Sequence, residues 1–298
     1  MSRSREPSGA GLRGSPSSNL MRIRDLPILA QRWPRPPVVA VLRFEGIIAP
    51  RPRRDGISLM SHAGAIDKAF RLPGLVAVAL VVNSPGGAPV QSALLFRRIR
   101  QLADEKGVPV FTFAEDVAAS GGYWLALAGD EIYGEETSLL GSIGVVSAGF
   151  GLNRLIERFG VERRLYTAGA RKSLLDPFLP EDPSDIDRLK TLQQDIHLSF
   201  KEHVRRRRQG KIDDADESLF EGEVLTGRMA LARGLIDGIG EIRGVMRARY
   251  GDKVRLRPIA TDRRRWLPWR RLPFFTGEIV AEILDRLEAR LLWSRFGL

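Results

Sequence analysis

The chain contains the apolar run Leu75–Val82 (LVAVALVV), which passes directly into the turn Asn83-Ser84-Pro85-Gly86-Gly87. An uncharged run of this kind, bounded by turn residues, predicts a strand buried within a parallel sheet. The glycine pair lets bare backbone N–H groups face a ligand, as an oxyanion hole requires. Taken alone, however, such a turn is most often only a tight connection between two elements.

Working outward, strands and helices alternate along the chain. Three further β-rich runs, Val38–Phe44, Val108–Phe113 and Val161–Thr167, are bounded by Gly, Pro or Asn. Helical spacing recurs from Val90 to Leu102, over a short stretch from Leu152 to Phe159 before Gly160, and from Pro183 to Val204, where four arginines follow. The alternation predicts an α/β domain over about residues 38–260, with parallel strands and crossover helices.

The positive charge is concentrated at the two ends of the chain. The net charge is +11, yet residues 1–36 carry seven arginines against two acids, and residues 261–298 carry eight against five. The central region is close to balanced and no nucleic-acid-reading motif is present, so we expect no specific nucleic-acid partner. Residues 1–37, rich in Ser, Gly and Arg, are predicted to be a disordered basic arm.

Several classes of site are excluded or disfavoured by composition. The chain has no cysteine, which excludes disulfides, thiolate metal sites and a cysteine nucleophile. Its three histidines, at 62, 197 and 203, lie at no metal-ligand spacing beside suitable carboxylates. His197 and His203 are six residues apart on the long helix and are expected on opposite faces, at the surface. We therefore predict no metal and no cofactor.

A second glycine-bearing segment, Ala118-Ala119-Ser120-Gly121-Gly122-Tyr123-Trp124, follows the strand Val108–Phe113. A serine at the start of a helix is commonly an N-cap, which is the structural alternative. Its small neighbours instead leave room for a peptide to approach the hydroxyl, and the Gly121 N–H would point at the carbonyl oxygen under attack. The segment is thus a candidate nucleophile site.

A third segment, Thr167-Ala168-Gly169-Ala170-Arg171-Lys172-Ser173, follows the predicted strand Val161–Thr167. A loop lysine is normally a solvated charge. To act as a base near pH 7, its pKa must fall roughly three units from about 10.4, which only burial or a cationic neighbour can supply. Arg171 is such a neighbour, and it cannot itself lose a proton.

Taken in order, these segments resemble the signal peptide peptidase A family, including its SohB-type members. The resemblance covers about residues 38–245 and adds Gly-Ser-Ile-Gly-Val at 141–145, Asp176-Pro177-Phe178, and Leu225-Thr226-Gly227 through Gly234-Leu235-Ile236-Asp237. It implies that Ser120 attacks the peptide carbonyl, that Lys172 takes its proton, and that Ser142 hydrogen-bonds the lysine amine. Gly87 and Gly121 would supply the oxyanion-hole N–H groups.

The same resemblance implies a Clp-protease or crotonase-like core and a homo-oligomer whose active sites are completed between neighbouring subunits. We therefore expect a serine endopeptidase that forms an acyl-enzyme on signal-peptide remnants or other apolar peptides. The membrane members of the family carry an amino-terminal transmembrane helix. Here neither a signal-peptide core nor a run of about 18–20 apolar residues is found, so we expect a cytoplasmic protein.

Two other functions stay open at the level of sequence. A crotonase-type acyl-CoA enzyme shares the glycine-rich oxyanion turns and would use carboxylates such as Glu115 and Asp116. A catalytically inactive homologue would be a membrane scaffold that binds peptides without cutting them. Acyl-CoA esters and a serine-directed fluorophosphonate probe, respectively, distinguish these alternatives from a peptidase.

The carboxyl-terminal segment, residues 261–298, combines five arginines with Trp266 and Trp269 and then continues as an amphipathic helical pattern from Ile279 to Leu291. Arginine and tryptophan side by side are typical of an anionic membrane interface. The helical pattern carries too many charges to span a bilayer. It is predicted to lie on the inner face of the cell membrane or, alternatively, to pack against a neighbouring subunit.

Overall fold

Three long parallel strands form the centre of the sheet in the computed structural model, which describes residues 36–50, 56–169, 171–261, 290 and 292–297. They are β1 (Val38–Glu45), β2 (Leu75–Ser84) and β3 (Val110–Ala119), with β2 between the other two. Near-continuous apolar sequence forms these strands because both faces of the sheet are covered. The strands predicted over Val38–Phe44, Leu75–Val82 and Val108–Phe113 are therefore confirmed.

Five shorter strands extend this sheet. They are β4 (Glu131–Gly134), β5 (Leu139–Gly141), β6 (Val224–Thr226), β7 (Gly238–Ile239) and β8 (Arg255–Pro258). The order is β6-β5-β3-β2-β1-β8, with β4 between β3 and β7, and in the described chain only β5 and β6 pair antiparallel. The first half of β3 pairs with β4 and its last three residues pair with β5. The carboxyl end of β3 therefore lies beside the end of β5.

Helices cover both faces of the sheet. One face packs against α1 (Leu59–Ala69), α2 (Pro89–Lys106) and α3 (Gly121–Ala126), and the other packs against α7 (Ile242–Tyr250). Three further helices lie between α3 and α7 in the sequence: α4 (Asn153–Arg158), α5 (Pro183–Arg207) and α6 (Gly227–Ala232). The predicted α/β class, with parallel strands and crossover helices, is confirmed.

The prediction of a strand over Val161–Thr167 is wrong. Residues 161–167 are exposed and pair with no strand of the described chain. The next strand of the sheet after β5 is β6 instead, which comes much later in the sequence. A β-rich sequence forms a strand only where the fold places it beside a sheet edge, and the exposed backbone groups of this segment can instead hydrogen-bond to water.

The predicted surface position of the histidines is also wrong in part. His203 is 2% exposed and His62 is buried as well, because each packs its ring against aromatic neighbours. The predicted long helix after Pro183 and the short helix before Gly160 are both confirmed. No helix among the described residues is long and apolar enough to cross a bilayer. Most of the predicted basic arm (1–37) and of the carboxyl-terminal segment (261–298) lies outside the described residues.

Candidate active site

Ser120 connects the end of β3 to the first residue of α3. Its backbone has φ 51° and ψ −122°, a region that non-glycine residues rarely adopt. Two hydrogen bonds hold this conformation, from Ser120 N–H to the Gly141 carbonyl (2.8 Å) and from Trp124 N–H to the Ser120 carbonyl (2.9 Å). The hydroxyl makes no capping hydrogen bond. Ser120 is therefore not a side-chain N-cap, and strain of this kind is concentrated at functional sites.

Ser142 lies beside Ser120 for a topological reason. Ala119 and Gly141 are paired in the parallel ladder between β3 and β5, so the serines that follow them emerge next to each other. Ser142 also has a positive φ, 49°, and its N–H donates to the Glu223 carbonyl at 2.7 Å. Two adjacent strand ends thus each terminate in a serine held in an unusual backbone conformation, and the side chain of Ser142 is buried.

The turn at residues 84–88 closes over Ser120 from the neighbouring strand β2. A Cβ on Gly86 would lie 2.8 Å from both the Ser120 Cβ and the Gly121 nitrogen. Gly87 has φ 136°, and a Cβ there would lie 2.1 Å from the Ile48 carbonyl oxygen. Both positions therefore require glycine, because only a bare backbone can approach this closely.

The backbone amides of Gly87 and Gly121 are brought together at this turn. An ideal Cβ on Gly121 would lie 3.3 Å from the Gly87 nitrogen. The flanking groups Ile48 N–H and Ala88 N–H are used in backbone hydrogen bonds, whereas no hydrogen bond from the Gly87 or Gly121 amide is found within the described chain. Two adjacent donors beside Ser120 are thus available to an oxygen atom of a ligand.

Ser92, which the sequence reading overlooked, supports this arrangement from α2. It is fully buried, donates its hydroxyl to the Ala88 carbonyl at 3.1 Å, and would lie 2.6 Å from a Cβ on Gly121. The signal in the sequence is a serine on the apolar face of a helix, spaced three and seven residues before Leu95 and Ile99. Ser92 thereby holds the first turn of α2 against the first turn of α3.

Tyr123 ties the Ser120 segment to the distant motif Gly234-Leu235-Ile236-Asp237. Its buried hydroxyl donates to the Leu235 carbonyl at 2.7 Å, and burial raises the pKa of Tyr123, so the hydroxyl keeps its proton. Asp237 in turn accepts hydrogen bonds from Arg208 and Lys211. Burial by itself would raise the pKa of Asp237, but these partners outweigh burial and hold it below its usual value. The motif is a structural support for α3.

Lys172 lies in a different environment. The segment 145–182, hereafter the Lys172 segment, is mostly exposed, and the Lys172 N–H donates to the Gly169 carbonyl at 3.2 Å. In the part of the chain that the structure describes, the Lys172 ammonium makes no hydrogen bond or ion pair, and neither Ser120 nor Ser142 contacts it through one. The structure thus brings together Ser120, Ser142, Gly87 and Gly121, and leaves Lys172 at the surface.

The Lys172 segment also exposes large apolar side chains. Phe150 is 79% exposed and Tyr166 is 90% exposed. Others on the same segment are exposed as well: Val146, Leu155, Phe159, Val161 and Leu165. Seven large apolar side chains exposed within about twenty residues are unusual for an isolated globular surface, and exposed apolar groups of this kind are typical of an interaction site.

The sequence matches the model of peptidase family S49 over residues 103–254, about half of the chain. The chain is 48% identical over 274 residues to a Brucella abortus protein named Na(+)/H(+) antiporter NhaA, covering 87% of this chain and 37% of that protein.

Several relatives carry protease names, among them the following two. The serine protease SPPA of Arabidopsis thaliana chloroplasts is 37% identical over 160 residues, covering 53% of this chain and 23% of that protein. Protease 4 of Haemophilus influenzae is 31% identical over 235 residues, covering 75% of this chain and 37% of that protein. The chain thus spans roughly a quarter to two fifths of the length of these relatives. The matched region contains Ser120, Ser142 and Lys172, and by this match the chain belongs to peptidase family S49.

Proposed function

We propose that this chain is a serine endopeptidase in which Ser120 is the nucleophile and Lys172 is the general base. The observation that carries the proposal is the strained Ser120, whose hydroxyl caps no helix, beside two glycine amides that are unpaired within the described chain, in a member of a peptidase family. A strained turn that presents a serine next to backbone donors is suited to acyl transfer. No cofactor takes part in this chemistry.

In the proposed reaction, the Ser120 oxygen attacks the peptide carbonyl carbon and its proton passes to the neutral Lys172 amine. The carbonyl oxygen becomes an oxyanion, which the Gly87 and Gly121 amides stabilise. Collapse of this intermediate breaks the peptide bond, and Lys172 returns the proton to the leaving amine. Water then attacks the acyl-enzyme by the same route and releases Ser120. Ser142, beside Ser120, would orient the lysine amine by accepting a hydrogen bond.

Lys172 is proposed to meet Ser120 of a second copy of the chain. Two observations support a homo-oligomer: the Lys172 ammonium is unpaired within the described chain, and the segment around it exposes apolar side chains such as Phe150 and Tyr166. Covering these side chains would also bury the lysine. Burial beside Arg171 would favour the neutral amine that a general base needs.

The proposed substrates are peptides with an apolar residue before the scissile bond, including signal-peptide remnants. Binding of an anionic membrane surface through residues 261–298 stays a prediction, since most of that segment lies outside the described residues. A labelled-peptide screen with the wild-type chain and Ser120→Ala tests both activity and preference. We expect cleavage after Ala, Leu or Phe at rates at least tenfold above those after Lys or Asp; equal rates would contradict the apolar preference.

A crotonase-type acyl-CoA enzyme is less well supported because its candidate carboxylates are already engaged. Glu115 forms an ion pair with Arg43 at 2.7 Å, and Asp116 accepts a hydrogen bond from Asn83 at 2.7 Å. Turnover of acyl-CoA esters without peptide cleavage would favour that alternative. Fluorophosphonate labelling of wild type, absent in Ser120→Ala, would instead exclude an inactive peptide-binding scaffold.

Gly121→Ala is expected to lower kcat roughly 10²- to 10³-fold, the effect of losing one oxyanion-hole donor. The added Cβ would lie 2.6 Å from the Ser92 hydroxyl and would push the Gly121 amide away from Gly87. The next nearest atom is the Gly87 nitrogen at 3.3 Å, so Ser92→Ala in the same chain removes the severe clash and leaves only tight contacts with Gly87. The double variant should regain most of the lost activity, with Ser92→Ala alone as the control. Wild-type kcat in Gly121→Ala would remove this amide from the mechanism.

A further inference from the structure

Helix α5 has two halves with different environments. Over residues 183–199 most side chains are exposed or half-buried, and the first buried residue of the helix is Phe200. The amino end of α5 connects to the Lys172 segment, where the Leu175 N–H donates to the Asp185 carboxylate at 3.3 Å. The carboxyl end packs into the core. The helix therefore connects the Lys172 segment to the core of the same chain.

The carboxyl half of α5 is anchored on the helix that begins at Ser120. His203 stacks on Trp124 of α3 with ring centroids 4.6 Å apart, and Phe200 packs on the same indole at 4.9 Å. Phe96 of α2 meets the edge of the His203 ring at 4.3 Å. His203 thus contacts both helices whose first turns flank Ser120.

Arginines surround this anchor. Arg206 donates to His203 Nδ1 at 3.2 Å, and since arginine can only donate, the ring proton lies on Nε2. Arg97 of α2 and Arg206 and Arg207 of α5 are the charged groups that act on the ring. Arg207 also donates to the Leu127 and Gly129 carbonyls, at the end of α3. A protonated imidazole would add a further positive charge to this group.

Packing alone does not account for a histidine at this position. Its Nε2 is buried without a hydrogen-bond partner in the described chain, as is the indole nitrogen of Trp124. A phenylalanine would fill the same space without an unpaired N–H group, which is costly to bury. Burial, and then the neighbouring arginines, lower the pKa of His203 to about 4, outweighing a contact with the Trp124 backbone that raises it.

We propose that His203 is a positioning residue that holds α5, and with it the Lys172 segment, against α3 only while its imidazole is neutral. The proposal rests on the proposed function of Ser120 and Lys172. Asp185 and His203 are about 27 Å apart along a helix that rises 1.5 Å per residue. A small rotation at the anchor therefore moves the Lys172 segment by several times the displacement at His203.

The test measures peptide-cleavage kinetics together with hydrogen exchange of residues 183–207. At pH 7.5, His203→Gln should lower kcat at least tenfold with KM within threefold, and should speed exchange of α5 but not of β2 or β3. His203→Phe, which keeps the aromatic contacts, should keep kcat within threefold. Glu202→Gln, an exposed neighbour on the same helix, is the matched control and should match the wild type.

The pH dependence separates positioning from simple packing. His203 is neutral in the fold and gains a proton more readily when α5 is released, so the anchor weakens as pH falls from about 6.5 towards 4. At pH 4.5, after correction for intrinsic exchange, wild-type α5 should exchange at least fivefold faster than α5 of His203→Phe, while at pH 7.5 the two agree within twofold.

Two results would overturn the proposal: equal exchange of wild type and His203→Phe at both pH values, or an unchanged kcat in a His203→Gln protein whose α5 exchanges faster. Failure of the proposed function is recognised separately. In that case the wild type would neither cleave peptides nor react with a fluorophosphonate, and the exchange measurement would still decide whether His203 anchors α5.

Discussion

Lys172→Arg abolishes peptide cleavage while leaving the protein folded, if Lys172 is the general base. Arginine keeps the positive charge and the length of the side chain but cannot give up its proton near neutral pH. We expect kcat to fall roughly 10⁴- to 10⁶-fold, as it does when one member of a catalytic unit is removed. The kcat of Lys172→Ala and of Ser120→Ala should fall equally far, and the kcat of the double variant should fall no further. The measurement is cleavage of a labelled apolar peptide by each variant.

The controls come from the chain itself. Arg171→Lys keeps a cation beside Lys172 and should stay within tenfold of wild type, while circular dichroism confirms that each variant is folded. Labelling by a fluorophosphonate should disappear in Lys172→Arg as well as in Ser120→Ala, because an unactivated serine reacts poorly. A Lys172→Arg protein that cleaves peptides at the wild-type rate would exclude Lys172 as the base.

Co-expression of Ser120→Ala with Lys172→Ala restores cleavage, if each site combines Ser120 of one subunit with Lys172 of its neighbour. Neither variant alone has a complete pair. In a closed oligomer assembled at random from equal amounts of the two variants, about a quarter of the subunit interfaces would join an intact serine to an intact lysine. We therefore expect the cleavage rate to rise from essentially none in either variant alone to about a quarter of the wild-type rate.

The mixed oligomers would be isolated through two different affinity tags, one on each variant, so that only complexes containing both are assayed. Mixing after separate purification is the control for subunit exchange. If the doubly tagged complexes form and are as inactive as either variant alone, Ser120 and Lys172 act within one chain. If the chain is a monomer in solution, the proposed contact between subunits is wrong.

Much of the fold could be predicted from the sequence because its signals are local. The run Leu75–Val82 is long, apolar and bounded by turn residues, and the repeat from Ile186 to Val204 has helical period, so both elements follow from patterning alone. The strand predicted over Val161–Thr167 failed because pairing is not local. Its sequence is suited to a strand, but the fold places it beside no strand of the described chain.

The candidate site could likewise be predicted from the sequence only in part. Gly87 and Gly121 could be predicted from the glycine pairs in the sequence. The role of Ser92 and the positive φ angles of Ser120 and Ser142 are found only in the three-dimensional structure. His203 was expected at the surface because it is polar, although it lies three residues after Phe200 and seven after Ile196, on the apolar stripe of the helix that the core covers.

Residue types and their order along the chain thus determined the strands, the helices and the glycine turns, because hydrophobic period and backbone freedom are properties of short stretches. Only the tertiary structure decided which strand ends lie together, that the Gly87 and Gly121 amides stay unpaired among the described residues, and that Lys172 is left exposed at the surface of a single chain. Those properties depend on how segments that are distant in sequence pair and pack against one another, which short stretches of sequence do not specify.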